Sequence, residues 1–265
     1  MSSEVETSLE ISGSTPIQRF LDSAQNDKAQ QDTRPLFAEL TIYHDESPHS
    51  AAMNMSVDEA LLESASIPTI RFYRWCSPAL SFGYFGKFSD VAIYAAERDL
   101  VRRWTGGGIV FHGDDLTYSI VIPASDPTFD ETSIAIYEKI HRALAHALNE
   151  SGSRTELVAL ARCDDPRKLS GQPGVPTDSC FVNPVRADVM IGGRKVAGAA
   201  QRRIRGGLLQ QGSIQGVNLE NGLADSFAGA LSANSSEFKT TKEILKRAQE
   251  LAQQKYGVDN WLRKR

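Results

Sequence analysis

The sequence is short of the features that most quickly assign a protein. Three cysteines, Cys76, Cys163 and Cys180, stand at irregular spacing. That is neither a disulfide framework nor a zinc pattern, and it points to a reducing compartment, the cytoplasm. No apolar run comes near the ~20 residues that span a bilayer, so no membrane association is expected. The opening MSSEVETSLE is too acidic and polar for a secretory signal. Basic residues do not predominate: 29 Lys and Arg against 33 Asp and Glu leave a formal charge of −4, which argues against a general nucleic-acid binder. Internal repeats are absent, and so is a GK[ST] phosphate loop. The triplet Gly106-Gly107-Gly108 runs into the strand-like IVFH rather than a helix, which excludes a dinucleotide fingerprint.

What is present describes an ordinary core-forming chain, 41% hydrophobic and 23% charged. Residues 1–35, rich in Ser, Gln, Asp and Glu, read as a disordered or weakly helical tail, and residues 36–265 as the folded domain. LFAELTIY reads as a strand and SAAMNMSVDEALLESA as a helix with Met53, Val57, Ala60 and Leu61 on one face. TIRFYRW and ALSFGYF read as a strand pair joined by Cys76-Ser77-Pro78, and SDVAIYAAERDL as a helix capped by Ser89. LTYSIVIP is a buried strand, and ETSIAIYEKIHRALAHALNESG is the longest amphipathic helix, stopped by Gly152. VRADVMIGG, RKVAGAAQRRI and GLLQQGSI continue as strands before a mainly helical last third. Strands adjacent in sequence, with helices between groups of them, predict an α+β domain with a mixed sheet. His141 and His146, five apart on a helix, are poorly spaced for one metal ion and read as structural or surface residues.

Two stretches carry chemistry. In VRRWTGGGIVFH, three glycines in a row cost backbone entropy, which a chain accepts where the backbone bends sharply or lies against a ligand. Arg102 and Arg103 before them and His112 after them favour the ligand. In GGRKVAGAAQRRIRGGLLQQGSI, Lys195 stands beside Ala197, Gly198, Ala199 and Ala200, small residues that leave room for something other than a side chain. Arg194, Lys195, Arg202, Arg203 and Arg205 would form a local positive region suited to an acidic partner.

Together, RRWTGGGIVFH…LTYSIVIP and GRKVAGAAQRR…GLLQQGSI resemble the lipoate–protein ligase and octanoyltransferase family, as do NMSVDEALL and IRFYRWCSPALSFGYF. The resemblance covers about residues 37–220. It implies a single biotin/lipoate-ligase-like α+β domain, its mixed, largely antiparallel sheet flanked by helices, with an acyl-chain tunnel between the glycine turn and the Lys195 strand. DSCFVNPVRADVMIGGRKVAG places Cys180 fifteen positions before Lys195, which is similar to the cysteine-dependent octanoyltransferases. The resemblance therefore implies transfer of an octanoyl group from a carrier-protein thioester through Cys180 to a lysine of a lipoyl-carrier domain, without cofactor or metal. A thiol is nucleophilic as its thiolate, and Lys195 could stabilise that thiolate and polarise the acyl carbonyl. Arg103, Gly106, Gly107, Gly108 and His112 would line the acyl site, and Gly198 and Ala199 the tunnel wall. Acyl carrier protein would be the donor, glycine-cleavage H protein or a dehydrogenase E2 subunit the acceptor, and the enzyme a monomer. The alternative is an ATP- and Mg-dependent lipoate–protein ligase acting through lipoyl-AMP, in which Lys195 would contact the adenylate. Gln211, in LLQQGSI, occupies a position where many relatives carry His.

Overall fold

In the computed structural model, residues 35–158, 185–219 and 222–264 are described; the 1–35 tail, Pro35 apart, lies outside them. Eight strands build the main sheet. β1 (Leu40–His49) lies parallel to β11 (Ser235–Glu237) and to β2 (Thr69–Trp75). Antiparallel pairing then runs from β2 through β6 (Leu116–Pro123), β10 (Gly207–Ile214), β9 (Arg194–Ile204) and β8 (Val189–Ile191) to β7 (Thr155–Leu157). A smaller sheet sets β3 (Ala79–Phe82) between β4 (Asp99–Arg102) and β5 (Ile109–His112). The sheets are mixed and largely antiparallel, as expected. No helix among the described residues is long and apolar enough to cross a membrane.

Strand alternation assigns the two faces of the main sheet. Ile70, Phe72, Tyr118, Ile120, Ile122 and Leu208 pack on one side against α2 (Ser133–Glu150) and α3 (Leu223–Leu231), through Ile136, Ile140, Leu144 and Phe227. Tyr73, Trp75, Val121 and Leu209 pack on the other against α1 (Ala51–Ser64) and α4 (Lys242–Leu251). With both faces covered, β6 is buried along its whole length. The Thr132 hydroxyl caps α2 by accepting from the Ala135 N–H, and Gly152, at φ +90°, turns the chain out beyond its last residue.

Two sequence expectations change. The stretch SDVAIYAAERDL forms two short 3-10 turns, Phe88–Asp90 and Ala92–Tyr94, rather than a helix. Phe88, Val91 and Tyr94 stand three apart and pack into one apolar cluster, a spacing that 3-10 turns satisfy. β2 and β3 belong to different sheets, because both neighbours of β2 are already β1 and β6. The glycine triplet carries the chain from β4 across to β5, with β3 inserted between them.

α1 departs from simple amphipathicity for a physical reason. It buries Asn54, Ser56 and Asp58 as well as its apolar residues. Arg71 of β2 is wholly buried and donates to Asp58 Oδ1 at 2.7 Å, to Asp45 Oδ2 at 2.7 and 2.9 Å, and to Asn54 Oδ1 at 2.7 Å. Asp58 also accepts from Ser119 Oγ, Tyr73 OH and Gln211 Nε2, so one carboxylate ties α1 to β2, β6 and β10. Removing one partner of such a pair strands a buried charge, at a cost of about 3–5 kcal/mol. Asp58→Ala is therefore expected to lower the unfolding free energy by about that much in urea titration; a loss within experimental scatter would show that the cluster does not hold the sheet to α1.

Candidate active site

A pocket opens between the two sheets. Met55, Tyr73, Trp75 and Val110 supply apolar wall; Ser81, Arg103, His112, Thr117, Gln211 and Ser213 supply polar groups; Lys195, Gly198, Ala199 and Ala200 form the side contributed by β9. The structure thus brings Arg103, His112, Lys195, Gly198 and Ala199 to one cavity. Gly106, Gly107 and Gly108 are not among its lining residues.

Their role lies in the backbone. The Arg103 guanidinium donates to the carbonyls of Gly106 and Gly108 at 3.0 and 2.9 Å, so the turn is wound around it. Gly107 has φ +85°, which favours glycine. A Cβ on Gly83, at the end of β3, would overlap the Gly106 and Gly107 carbonyl oxygens, so two backbones meet there without side chains between them. Arg102 points the other way and donates to the carbonyls of Tyr84, Gly86, Trp261, Leu262 and Lys264. Of the two arginines, one shapes the pocket and its neighbour anchors the far end of the fold.

The polar side of the pocket is wired in one direction. Arg103 can only donate, and its Nη1 lies 2.7 Å from Ser81 Oγ. The Ser81 hydroxyl then donates to His112 Nε2 at 2.7 Å, and His112 Nδ1–H donates to Asp115 Oδ2 at 2.7 Å. Thr117 and Ser213 hydroxyls add donors to that same oxygen at 2.8 and 2.7 Å, and Trp75, stacked on the His112 ring, donates to Thr117. Burial pushes the Asp115 carboxyl up, but His112 and the hydrogen bonds from His112, Ser213 and the Gly113 N–H outweigh it and bring it down to about 2. Burial lowers the His112 pKa, with Asp115 offsetting it only in part. At neutral pH the array is a neutral imidazole on an ionised carboxylate.

Lys195 is held from behind. Its Nζ lies 2.7 Å from Asp188 Oδ2, and both side chains are buried. Asp188 also accepts from the Val185 N–H and from Tyr137 OH, each at 2.6 Å. Burial first, and Asp188 second, push the Tyr137 hydroxyl well up, so it stays protonated and donates. A Cβ on Gly198 would stand 2.5 Å from Lys195 Nζ, so the missing side chain is the space the ammonium occupies. Asp188, Ser81, Asp115 and Tyr137 belong to this candidate site and were missed by sequence reasoning. The available signals were slight: an acid directly before the apolar VMI, and a paired acid just after His112.

Other expected features are dispersed. Cys180 and Cys163 lie outside the described residues, and Cys76 is an exposed free thiol. The basic run of β9 splits by strand alternation. Arg194 binds the Gly216 carbonyl, Arg203 binds the carbonyls of Phe129 and Glu131 on the α2 side, and Arg202 faces the pocket side. His141 is buried between Tyr118 OH and the Ala187 carbonyl, while His146 is exposed. No cluster of metal-ligating side chains occurs among the described residues.

Comparison with known proteins adds to this geometry. Residues 50–258 match the family model described as the lipoyl protein ligase A/B catalytic domain. Octanoyltransferase LipM of Brevibacillus brevis is 38% identical over 173 residues, 62% of this chain and 62% of that protein. Octanoyltransferase LipM of Moorella thermoacetica is 36% identical, across 61% of this chain and 59% of that protein. The match thus spans about three fifths of these relatives' length. Octanoyltransferase LipM of Symbiobacterium thermophilum is 32% identical over 259 residues, 78% of this chain and 92% of that protein. Among solved structures, lipoate-protein ligase A bound with ATP shares the fold with a TM-score of 0.61 at 21% identity, over 85% of this chain and 98% of that one. A bipartite lipoate protein ligase from Thermoplasma acidophilum shares it at 0.59 and 20%, over 85% and 96%.

The buried imidazoles carry a pH consequence. Burial lowers the His141 pKa from the ordinary 6.5 to about 4. The unfolded chain therefore takes up a proton near pH 6.5 that the folded chain resists. This contribution is complete above pH 6.5 and is lost as pH falls toward 4, about 3 kcal/mol in all. His112 acts in the same direction. Urea unfolding at pH 7.5 and 4.5 is expected to show this loss, and His141→Gln to remove about 3 kcal/mol of the difference. An unchanged difference in the variant would remove His141 as its source.

Proposed function

The chain belongs to the lipoyl protein ligase A/B catalytic-domain family, and on that premise we propose that it is a cysteine-dependent octanoyltransferase of protein lipoylation, working in the cytoplasm without ATP. The observation that carries the reading is the Lys195 ammonium, held 2.7 Å from buried Asp188 in the wall of a pocket whose β9 side is built of Gly198, Ala199 and Ala200. Its likeness over most of the chain to proteins named octanoyltransferase supports the same reaction.

In this reading the Cys180 thiolate attacks the carbonyl carbon of an octanoyl thioester on acyl carrier protein. A new S–C bond forms, the donor S–C bond breaks, and the departing thiolate takes up the proton that Cys180 gave up. The neutral amine of a lysine on a lipoyl-carrier domain, of the glycine-cleavage H protein or a dehydrogenase E2 subunit, then attacks the enzyme thioester. The C–N bond forms, Cys180 leaves as thiolate, and the amine proton passes to solvent. The Lys195 ammonium stabilises negative charge on the thiolate and on the carbonyl oxygen during both attacks. Arg103, His112 and their partners keep the pocket's polar groups paired, so a chain of methylenes entering it strands none of them. Burying about six methylenes contributes roughly 5 kcal/mol to holding the octanoyl group.

Incubation with octanoyl-acyl carrier protein and no ATP is expected to leave one octanoyl group on the protein by mass spectrometry. Cys180→Ser is expected to reduce transfer at least about 100-fold. ATP–pyrophosphate exchange dependent on free lipoate would replace this reading with an adenylating ligase. Gly198→Ala supplies a second test, since the new methyl group must displace Lys195 Nζ. Loading from octanoyl and butyryl donors is expected to fall alike, by about 100-fold. A loss confined to the longer donor would assign Gly198 to the chain-binding wall instead.

A further inference from the structure

Arg202 stands out among the cations of β9. Its Nε is buried without a hydrogen-bond partner among the described residues, and its guanidinium stacks on Trp104 and Tyr84, 5.2 and 5.3 Å from the ring centroids. The Lys255 ammonium also sits over the Trp104 ring, at 4.1 Å, and Lys264 Nζ donates to Tyr84 OH at 2.6 Å. Glu59 pairs with Lys255, which leaves the cluster rich in positive charge. Burial depresses the Lys255 pKa, and Arg202 adds to the depression, as expected of two cations crowded on one indole. An anion would relieve both groups.

The strand sets this cluster at a defined distance from the reacting centre. From Ala197 to Ile204, β9 pairs with β10 in unbroken register, so Gly198, Ala200 and Arg202 share one face, opposite Ser213, Gln211 and Leu209. Lys195 Nζ lies against Gly198. Four residues of strand separate Gly198 from Arg202, about 13 Å. A pantetheine arm, counted from its sulfur to its phosphate oxygen, has about the backbone atoms of four residues and spans roughly 14 Å extended. Glycine and alanine along the way leave a low floor between the two ends.

We propose that Arg202, with Lys255 beside it, binds the phosphate of a donor's phosphopantetheine arm, which lies along β9 over Gly198 and Ala200 with its thioester at Lys195. The identity of the donor rests on the octanoyl-transfer reading above. The phosphate site itself is tested by binding, which does not depend on turnover.

The test compares octanoyl-4′-phosphopantetheine with octanoyl-pantetheine, which lacks the phosphate, on the full chain and on Arg202→Gln and Arg202→Lys. The ratio of the two dissociation constants within each protein cancels general losses of folding or affinity. The parent is expected to bind the phosphorylated arm about tenfold more tightly, Arg202→Gln less than twofold, and Arg202→Lys in between. A ratio unchanged by Arg202→Gln overturns the proposal. So does a variant that loses affinity for ATP while keeping the phosphopantetheine ratio, since the site would then serve a nucleotide. If neither arm loads octanoyl onto the parent, the transfer reading fails, and the binding ratio still decides the phosphate site.

Discussion

The ion pair between Arg71 and Asp58, both inaccessible to solvent, is the constraint on which the arrangement of the site depends. Each charge would be prohibitively costly alone in the core, so each enforces the position of the other. Arg71 uses its remaining donors on Asp45 and Asn54, and Asp58 its remaining lone pairs on Tyr73, Ser119 and Gln211. The result is a helix and four strands locked in register by directional bonds where apolar packing alone would allow sliding. Gln211 carries that order outward, for its Oε1 accepts from Thr105 at 2.8 Å, beside the glycine turn. The small sheet is thereby fixed against the large one, and the pocket is the gap between them.

Within that gap the two functional halves are built differently. The Arg103–Ser81–His112–Asp115 half is a chain of donors with one permitted polarity, which leaves a neutral, fully satisfied surface. The Asp188–Lys195 half keeps a cation beside a glycine, where backbone leaves room for it. In the proposed reaction the first would receive an apolar chain and the second would meet charge developing on sulfur or oxygen. Their cross-strand proximity follows from register, since Gly198 lies opposite Ser213, and Ser213 donates to Asp115.

Much of this was legible before any coordinates. The apolar runs of β6 and β10 and the periodicity of α2 identified the main layers, and the RRWTGGG and GRKVAG stretches led to Arg103, His112 and Lys195. What escaped notice was polar and internal. Asp58 and Asn54 in α1 carry no sequence mark of burial, because a buried carboxylate is unusual until its partner, thirteen residues away, is known. Asp188 is seven residues from Lys195 across a bulged strand connection, and Ser81 is thirty-one from His112. Pairings of that kind depend on topology, which local patterns do not encode. The basic run of β9 was misleading for the opposite reason. Its charges are adjacent in sequence, but a period of two sends them to opposite faces of the sheet.

The grip of Arg102 on the carbonyls of Trp261, Leu262 and Lys264 bears on the order in which the molecule can be completed as it is made. Arg102 adjoins the residue around which the glycine turn is wound, yet its partners are translated about 160 residues later. β11 likewise joins β1 across nearly 200 positions of chain. A nascent polypeptide can assemble β2, β6 and α2 early, but the Arg102 guanidinium has most of its acceptors missing until residues 261–264 have been made. The bonds that tie Arg102 to residues 261–264 therefore form only after that later segment has been made, long after the strands around Arg102 themselves.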